Sequence, residues 1–159
     1  MEKDASMAVR GARWVVLAAF LVVVLGVGFT IGMTVRPGAW YEALYKPFFT
    51  PPNWLFGPAW TIVYTLIAIA GWRVWLTAGI GSVPAGLWIA QMVLNWAWSP
   101  VFFGAHLPGA GLAVILALLA VSLMFIARVR DRVARWCFVP YVAWLTYATA
   151  LNLAIVVLN

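Results

Sequence analysis

The feature that most constrains this chain is where its charges are missing. No Asp, Glu, Lys or Arg stands between Arg13 and Arg36, between Lys46 and Arg73, between Arg73 and Arg128, or after Arg135. The runs between these residues are almost continuously apolar. Of the 159 residues, 66% are apolar and 9% charged, against roughly half and a quarter in a soluble domain. A chain built this way does not make a water-soluble globule, and its hydrophobicity excludes disorder. Membrane barrel strands are excluded because the runs do not alternate. A single cysteine, Cys137, leaves no internal disulfide or Cys-based metal cluster, and a single histidine, His106, leaves no His-ligated metal site. The class that remains is an all-α integral membrane protein, one bundle over residues 1–159.

A membrane-crossing helix takes about 20 apolar residues. The stretch from Arg73 to Arg128 is too long for one helix and is broken by Gly79-Ile80-Gly81-Ser82 and by Gly104-Ala105-His106-Leu107-Pro108-Gly109. Five spans are therefore expected, at about 14–35, 56–76, 84–103, 109–127 and 135–158. The first has a basic flank, Arg10 and Arg13, but its apolar stretch exceeds the 7–15 residues of a signal peptide, so it reads as a retained helix. With five spans, Lys3, Arg10, Arg13, Arg73, Arg128, Arg130, Arg132 and Arg135 share one side, against Arg36 and Lys46 on the other. That bias predicts a multi-pass protein of a bacterial membrane with its N-terminus in the cytoplasm. The arginines of the fourth connection are explained by membrane lipid rather than nucleic acid.

The connection between the first two spans, about 36–55, is long for a helical bundle. It carries Trp40, Tyr41, Tyr45, Phe48, Phe49, Trp54 and prolines at 37, 47, 51 and 52, with Phe56 and Pro58 just beyond. The prolines lower its ordering cost. Residues 39–45 are long enough for a short helix turn carrying Trp40 and Tyr41. Two readings stand: an interfacial aromatic anchor, or a lid over a cavity.

Within the spans, Trp88, Gln91, Asn95 and Trp98 fall on one helical face. A buried amide pair turns toward the bundle, either as a tie between helices or as part of a ligand face that also carries two indoles. Trp60 and Tyr64 stand one turn apart in the second span, and Tyr141, Trp144, Ala148 and Asn152 share a face of the fifth. Trp14, Trp72, Trp75 and Trp136 lie beside Arg13, Arg73 and Arg135 and read as a membrane-edge belt. Gly28 and Gly32, and Gly86 with Ala90, allow close helix approach. No Asp, Glu, Lys or Arg inside a span offers a proton or ion path. A cavity with indole and phenol walls and a few amides suits a flat, largely apolar ligand.

These residues make the chain resemble the translocator protein family, which includes the peripheral-type benzodiazepine receptor and the tryptophan-rich sensory proteins. The resemblance runs from about Pro37 to Asn152. It is carried by Trp40-Tyr41 with Tyr45-Lys46-Pro47, by Pro51-Pro52, Trp54, Gly57-Pro58 and Trp60, by Leu94-Asn95-Trp96-Ala97-Trp98 with Pro100, Phe102-Phe103-Gly104, and by Pro140-Tyr141, Trp144, Ala148-Thr149 and Leu151-Asn152. It implies a five-helix bundle, often a homodimer, with a pocket closed by the first loop. It further implies binding of porphyrins such as protoporphyrin IX and of synthetic isoquinoline carboxamide and benzodiazepine-type ligands, in a carrier or sensor role, with no cofactor required. The implied ligand-binding residues are Trp40, Tyr41, Trp60, Tyr64, Asn95, Trp98, Trp144 and Ala148. Trp60 and Asn95 match positions that hydrogen-bond a ligand carbonyl. Trp40 and Trp144 match the tryptophans implicated in light- and oxygen-dependent porphyrin breakdown, the alternative, enzymatic reading. A third is a membrane partner gated by its ligand. Cholesterol-binding members carry a C-terminal Leu/Val-x-Tyr-x-Lys/Arg pattern. Here Leu153 stands in the tyrosine region and no basic residue follows Arg135, which argues against copying the cholesterol role.

Overall fold

The structure is a computed structural model that describes the backbone of residues 2–159 and the side chains of residues 11–159. The side chains of Lys3 and Arg10, both counted in the charge bias, lie outside the described residues. The described chain is all-helical and contains no strand. Six α-helices follow in order: α1 (Glu2–Thr34), α2 (Ala39–Ala43), α3 (Asn53–Thr77), α4 (Val83–Ser99), α5 (Pro108–Arg128) and α6 (Arg132–Leu158). Four of them are long and apolar enough to cross a membrane: α1 from Gly11, α3, α5 and α6. The fourth helix, with 17 residues, runs without a break into a five-residue π-turn at Pro100–Gly104.

The ends of these helices have local causes. Gly79 takes φ 79° in the turn after α3, a conformation that costs glycine nothing. Ser82 then accepts a hydrogen bond from the Ala85 amide and caps α4. Asp131 caps α6 in the same way, through the Ala134 amide at 2.8 Å, which is why this helix starts at Arg132 rather than at Arg135. Pro100 has no N–H to offer Trp96 and its ring crowds the preceding turn. The helix widens there, and the Ala105 amide reaches back five residues to the Pro100 carbonyl at 2.8 Å.

The long helices form a closed ring in the order α1, α3, α6, α5, α4, and α4 closes it lightly against α1. The core between them is built from Ile67, Leu118, Phe125, Phe138, Tyr141 and Leu145, all fully or almost fully buried. Between membrane helices close packing, not water exclusion, drives association, so small residues matter. A Cβ at Gly28 would overlap the Tyr64 ring, so this glycine sets the approach of α1 to α3. Gly71 does the same for Trp88 and Phe20, and Gly111 for Phe102. Gly32 and Gly86, by contrast, face open space. Gly86 and Ala90 lie on the outer face of α4.

The two ends of the bundle differ. At one end the Trp72 indole donates to the Arg13 carbonyl at 3.0 Å, Trp14 stacks on Trp72, and Arg73 pairs with Asp131 at 2.6 Å. At the other end lie the segment between α1 and α3, the turn at His106 and the C-terminus. Trp14, Trp75 and Trp136 are exposed on the outer surface, as a membrane-edge belt requires.

Candidate functional site

The segment leading from α1 to α3 is held to the bundle at three places. The short helix α2 lays Trp40 and Tyr41 onto the π-turn. Trp40 stacks on His106 with ring centroids 4.4 Å apart and meets Phe102 edge-on. Tyr41 is buried and meets Phe103 edge-on at 5.2 Å. The second anchor is the Tyr45 backbone, whose amide donates to Asn159 Oδ1 at 3.0 Å while its carbonyl accepts from Asn159 Nδ2 at 3.1 Å. The third is the Tyr147 hydroxyl, which donates to the Phe49 carbonyl at 2.8 Å. Lys46 folds back, donates to the Glu42 and Leu44 carbonyls and sits 4.8 Å from the centre of the Tyr41 ring, a cation–π contact. Burial, with the Tyr147 phenol nearby, pushes the Tyr41 hydroxyl above the ordinary tyrosine range, so it is neutral at any physiological pH.

The aromatic residues of this segment divide between two faces. Trp40 and Tyr41 turn inward. Tyr45, Phe48 and Trp54 point outward, Phe48 completely. A helix of five residues has one inner face, and the proline-rich stretch that follows runs over the end of the bundle with Phe48 and Trp54 exposed.

Beneath Tyr41 lies a cavity of about 30 Å³ lined by Trp98, Phe102, Phe103, Ala148, Leu151, Asn152 and Ile155. That is room for about one water molecule. Trp98 stacks on Phe102 at 5.0 Å and donates to Asn152 Oδ1 at 3.2 Å. Asn152 Nδ2 in turn donates to the Pro108 carbonyl at 2.9 Å. Tyr41, Trp98 and Ala148 are thus gathered around one small space, and Trp40 packs against Phe102 of its wall without lining it.

Trp60, Tyr64 and Trp144 form an adjoining group. Trp60 tilts against Tyr64 at 5.2 Å and meets Trp144 edge-on at 6.2 Å. Phe56 packs against the other side of Trp144. The Trp144 Nε1 donor is buried and has no hydrogen-bond partner among the described residues. Asn95 stands deeper, with both ends of its amide engaged. The Tyr64 hydroxyl donates to Asn95 Oδ1 at 2.9 Å, and Asn95 Nδ2 donates to the Tyr141 oxygen at 2.8 Å. The Tyr141 hydroxyl donates onward to Gln91 Oε1 at 3.0 Å. Asn95 therefore ties α4 to α3 and α6 in this structure.

Phe102, Phe103, His106, Phe56 and Tyr147 also belong to this region and were not assigned from sequence. Phe102 and Phe103 sit in the same block as Asn95 and Trp98, which was the available signal. His106 adopts φ 58° in a turn whose course is set by the π-turn before it, and no sequence pattern announces that.

The model of the TspO/MBR family matches residues 18–158, almost the whole chain. This protein belongs to the TspO/MBR family. It is 41% identical over 147 residues to the tryptophan-rich protein TspO of Archaeoglobus fulgidus, covering 90% of this chain and 96% of that protein. It is 37% identical over 148 residues to the tryptophan-rich sensory protein of Cereibacter sphaeroides, covering 92% of each. It is 38% identical over 120 residues to the human translocator protein, covering 71% of this chain and 70% of the relative. Family membership and the four long apolar helices make it a membrane protein. The chain's own tryptophans, 11 in all, concentrate in the region just described and in the belt at the opposite end.

Proposed function

We propose that this protein spans the membrane five times and binds flat, apolar ligands in the aromatic region under α2, as a carrier or sensor. The fifth span is α4 with its π-turn. Together they make 22 residues, 17 and 5, or about 33 Å at 1.5 Å per residue, enough for a hydrocarbon core of about 30 Å. The ligand class proposed is the porphyrins, protoporphyrin IX first, and synthetic isoquinoline carboxamides and benzodiazepine-type compounds, with no cofactor required. The names of the relatives, sensory protein and translocator protein, support a sensor or carrier rather than a structural protein. A homodimer packed through the outer face of α4 around Gly86 and Ala90 is part of the same proposal.

The observation that carries the ligand reading is Trp144. Its buried indole N–H has no acceptor among the described residues, and an unmet buried donor costs about 1–3 kcal/mol. A ligand oxygen placed beside Trp144, in the group it forms with Trp60, meets that need. A cavity of about 30 Å³ does not admit a tetrapyrrole, so binding requires α2 to lift from the π-turn. The test is titration of protoporphyrin IX and of an isoquinoline carboxamide into the detergent-solubilised protein. Trp144→Phe keeps most of the ring area and removes the donor. Affinity is expected to fall by about 5- to 150-fold, the equivalent of that 1–3 kcal/mol, while the ligand-free protein melts no earlier than the parent. Unchanged affinity for both ligands would sink the reading. The same titration in light and in darkness tests the enzymatic alternative. A light-dependent porphyrin product that disappears in Trp40→Phe and Trp144→Phe favours degradation, and an unchanged spectrum favours binding alone.

A further inference from the structure

The end of the bundle opposite α2 carries a feature that the candidate pocket does not use. Between α5 and α6 the chain turns through Val129, Arg130 and Asp131. Val129 and Asp131 are in extended conformation, with ψ 127° and 119°. Alternate side chains in an extended segment point to opposite sides. Val129 is accordingly buried, and the Asp131 side chain is 8% exposed. Arg128, Arg130 and Arg132 are all exposed.

The turn is also rigid. Arg135 donates to the Val129 carbonyl at 2.7 Å. Asp131 caps α6 and accepts two hydrogen bonds from Arg73, at 2.6 and 3.3 Å. Asp131 is the one acidic residue after Glu42, and Arg73 already neutralises it. Among the described residues, Arg128, Arg130 and Arg132 are left as a cationic row with no acidic side chain to compensate it. Exposed Trp136 stands one helical turn beyond Arg132, and exposed Trp75 lies near the same end of α3. Indoles of this kind sit at the headgroup level, so the row lies at the depth of lipid phosphates.

We propose that the α5–α6 turn is a preorganised binding surface for anionic phospholipid headgroups, with Arg128, Arg130 and Arg132 as the phosphate-contacting residues. Guanidinium forks match phosphate oxygens in pairs, and a basic residue at this depth strengthens attraction to anionic lipid by roughly fivefold. Asp131 acts as the positioning residue, held inward by Arg73 so that its charge does not oppose the lipid.

The experiment uses the full chain in nanodiscs of phosphatidylcholine, with or without phosphatidylglycerol. The readouts are the lipid retained by mass spectrometry after mild delipidation and the melting midpoint. The parent should retain phosphatidylglycerol in preference and melt higher in its presence. The triple variant Arg128→Gln, Arg130→Gln, Arg132→Gln should lose that preference by about a hundredfold and melt in pure phosphatidylcholine as the parent does. Arg36→Gln, at the other end of the bundle, should keep it. Three results would overturn the proposal: a triple variant that still selects phosphatidylglycerol, an Arg36→Gln protein that loses selection equally, or inorganic phosphate that displaces the lipid better than chloride at matched ionic strength. Should the triple variant fail to fold, single Arg130→Gln must still lower retention about fivefold, and no change there has the same force.

Discussion

At the scale of single residues, Asn95 shows how a polar side chain inside a membrane bundle is made tolerable. Its amide accepts from Tyr64 and donates to Tyr141, and the Tyr141 hydroxyl donates in turn to Gln91 Oε1. Four side chains on three helices are linked in this way, and of their polar atoms only Gln91 Nε2 is left without a partner among the described residues. Replacing Asn95 by Leu fills the space, leaves the Tyr64 hydroxyl without its acceptor and removes one of the two hydrogen bonds at the Tyr141 oxygen. The expected outcome is a loss of about 1–3 kcal/mol of stability, seen as a lower melting midpoint of the ligand-free protein in detergent. A variant that melts with the parent would show that the amide is dispensable to the bundle. That Gln91 and Asn95 turn inward was legible from their spacing with Trp88 and Trp98. Which groups they meet was not, because Tyr64 and Tyr141 come from α3 and α6, 31 and 46 residues away from Asn95. Trp144 was legible as an inward aromatic; its missing acceptor was not, since that depends on what every neighbour fails to offer.

At the scale of elements, the long helices were readable because uncharged runs leave a chain little else to form. The short helix carrying Trp40 and Tyr41 was readable from the length of the segment at 39–45; that both side chains turn inward was not, because an outer anchor fits the same residues. The π-turn was not, because Pro100 within an apolar run signals only a disturbance and not its form. The joint between α3 and α6 was also hidden, since Arg73 and Asp131 are 58 residues apart and each looks like an ordinary edge charge. The Arg73 guanidinium, through its hydrogen bonds to the carboxylate, holds Asp131 below its ordinary range. A carboxyl whose pKa is depressed on folding stabilises the fold above its unfolded value of about 4, and that contribution is lost as pH falls through the lower folded value. Arg73 is 31% exposed, so solvent screening keeps the pair to about 1 kcal/mol. Asn caps a helix about as well as Asp, so Asp131→Asn removes the charge and keeps the cap. At neutral pH the variant should melt below the parent. The gap should close as both are acidified below about pH 4. A gap that stays constant with pH would mean that the carboxylate charge is not what joins the two helices.

At the scale of the whole molecule, the bundle sorts its chemistry to its two ends. Trp40, Tyr41, His106 and the Asn159 clasp on Tyr45 lie at one. Arg13, Arg73 and the arginines around Asp131 lie at the other. This sorting follows from the order of the helices: if each long element crosses once, the first and third connections meet the C-terminus, and the second and fourth meet the start of α1. Among the described residues, Arg13, Arg73, Arg128, Arg130, Arg132 and Arg135 occupy the end distal to α2, against Arg36 and Lys46 near it. Lys and Arg near span ends are retained on the cytoplasmic side of a bacterial inner membrane. The arginine-rich end should therefore face the cytoplasm, and α2 with the aromatic region should face outward. A reporter active only in the cytoplasm should work when fused ahead of α1 and fail when fused after Asn159, and one active only outside should give the reverse. Both fusions reporting the same side would require an even number of crossings, and would remove α4 with its π-turn from the membrane. Both fusions reporting inverted sides would keep the five crossings and place the aromatic region, with whatever ligand it takes, at the cytoplasmic face.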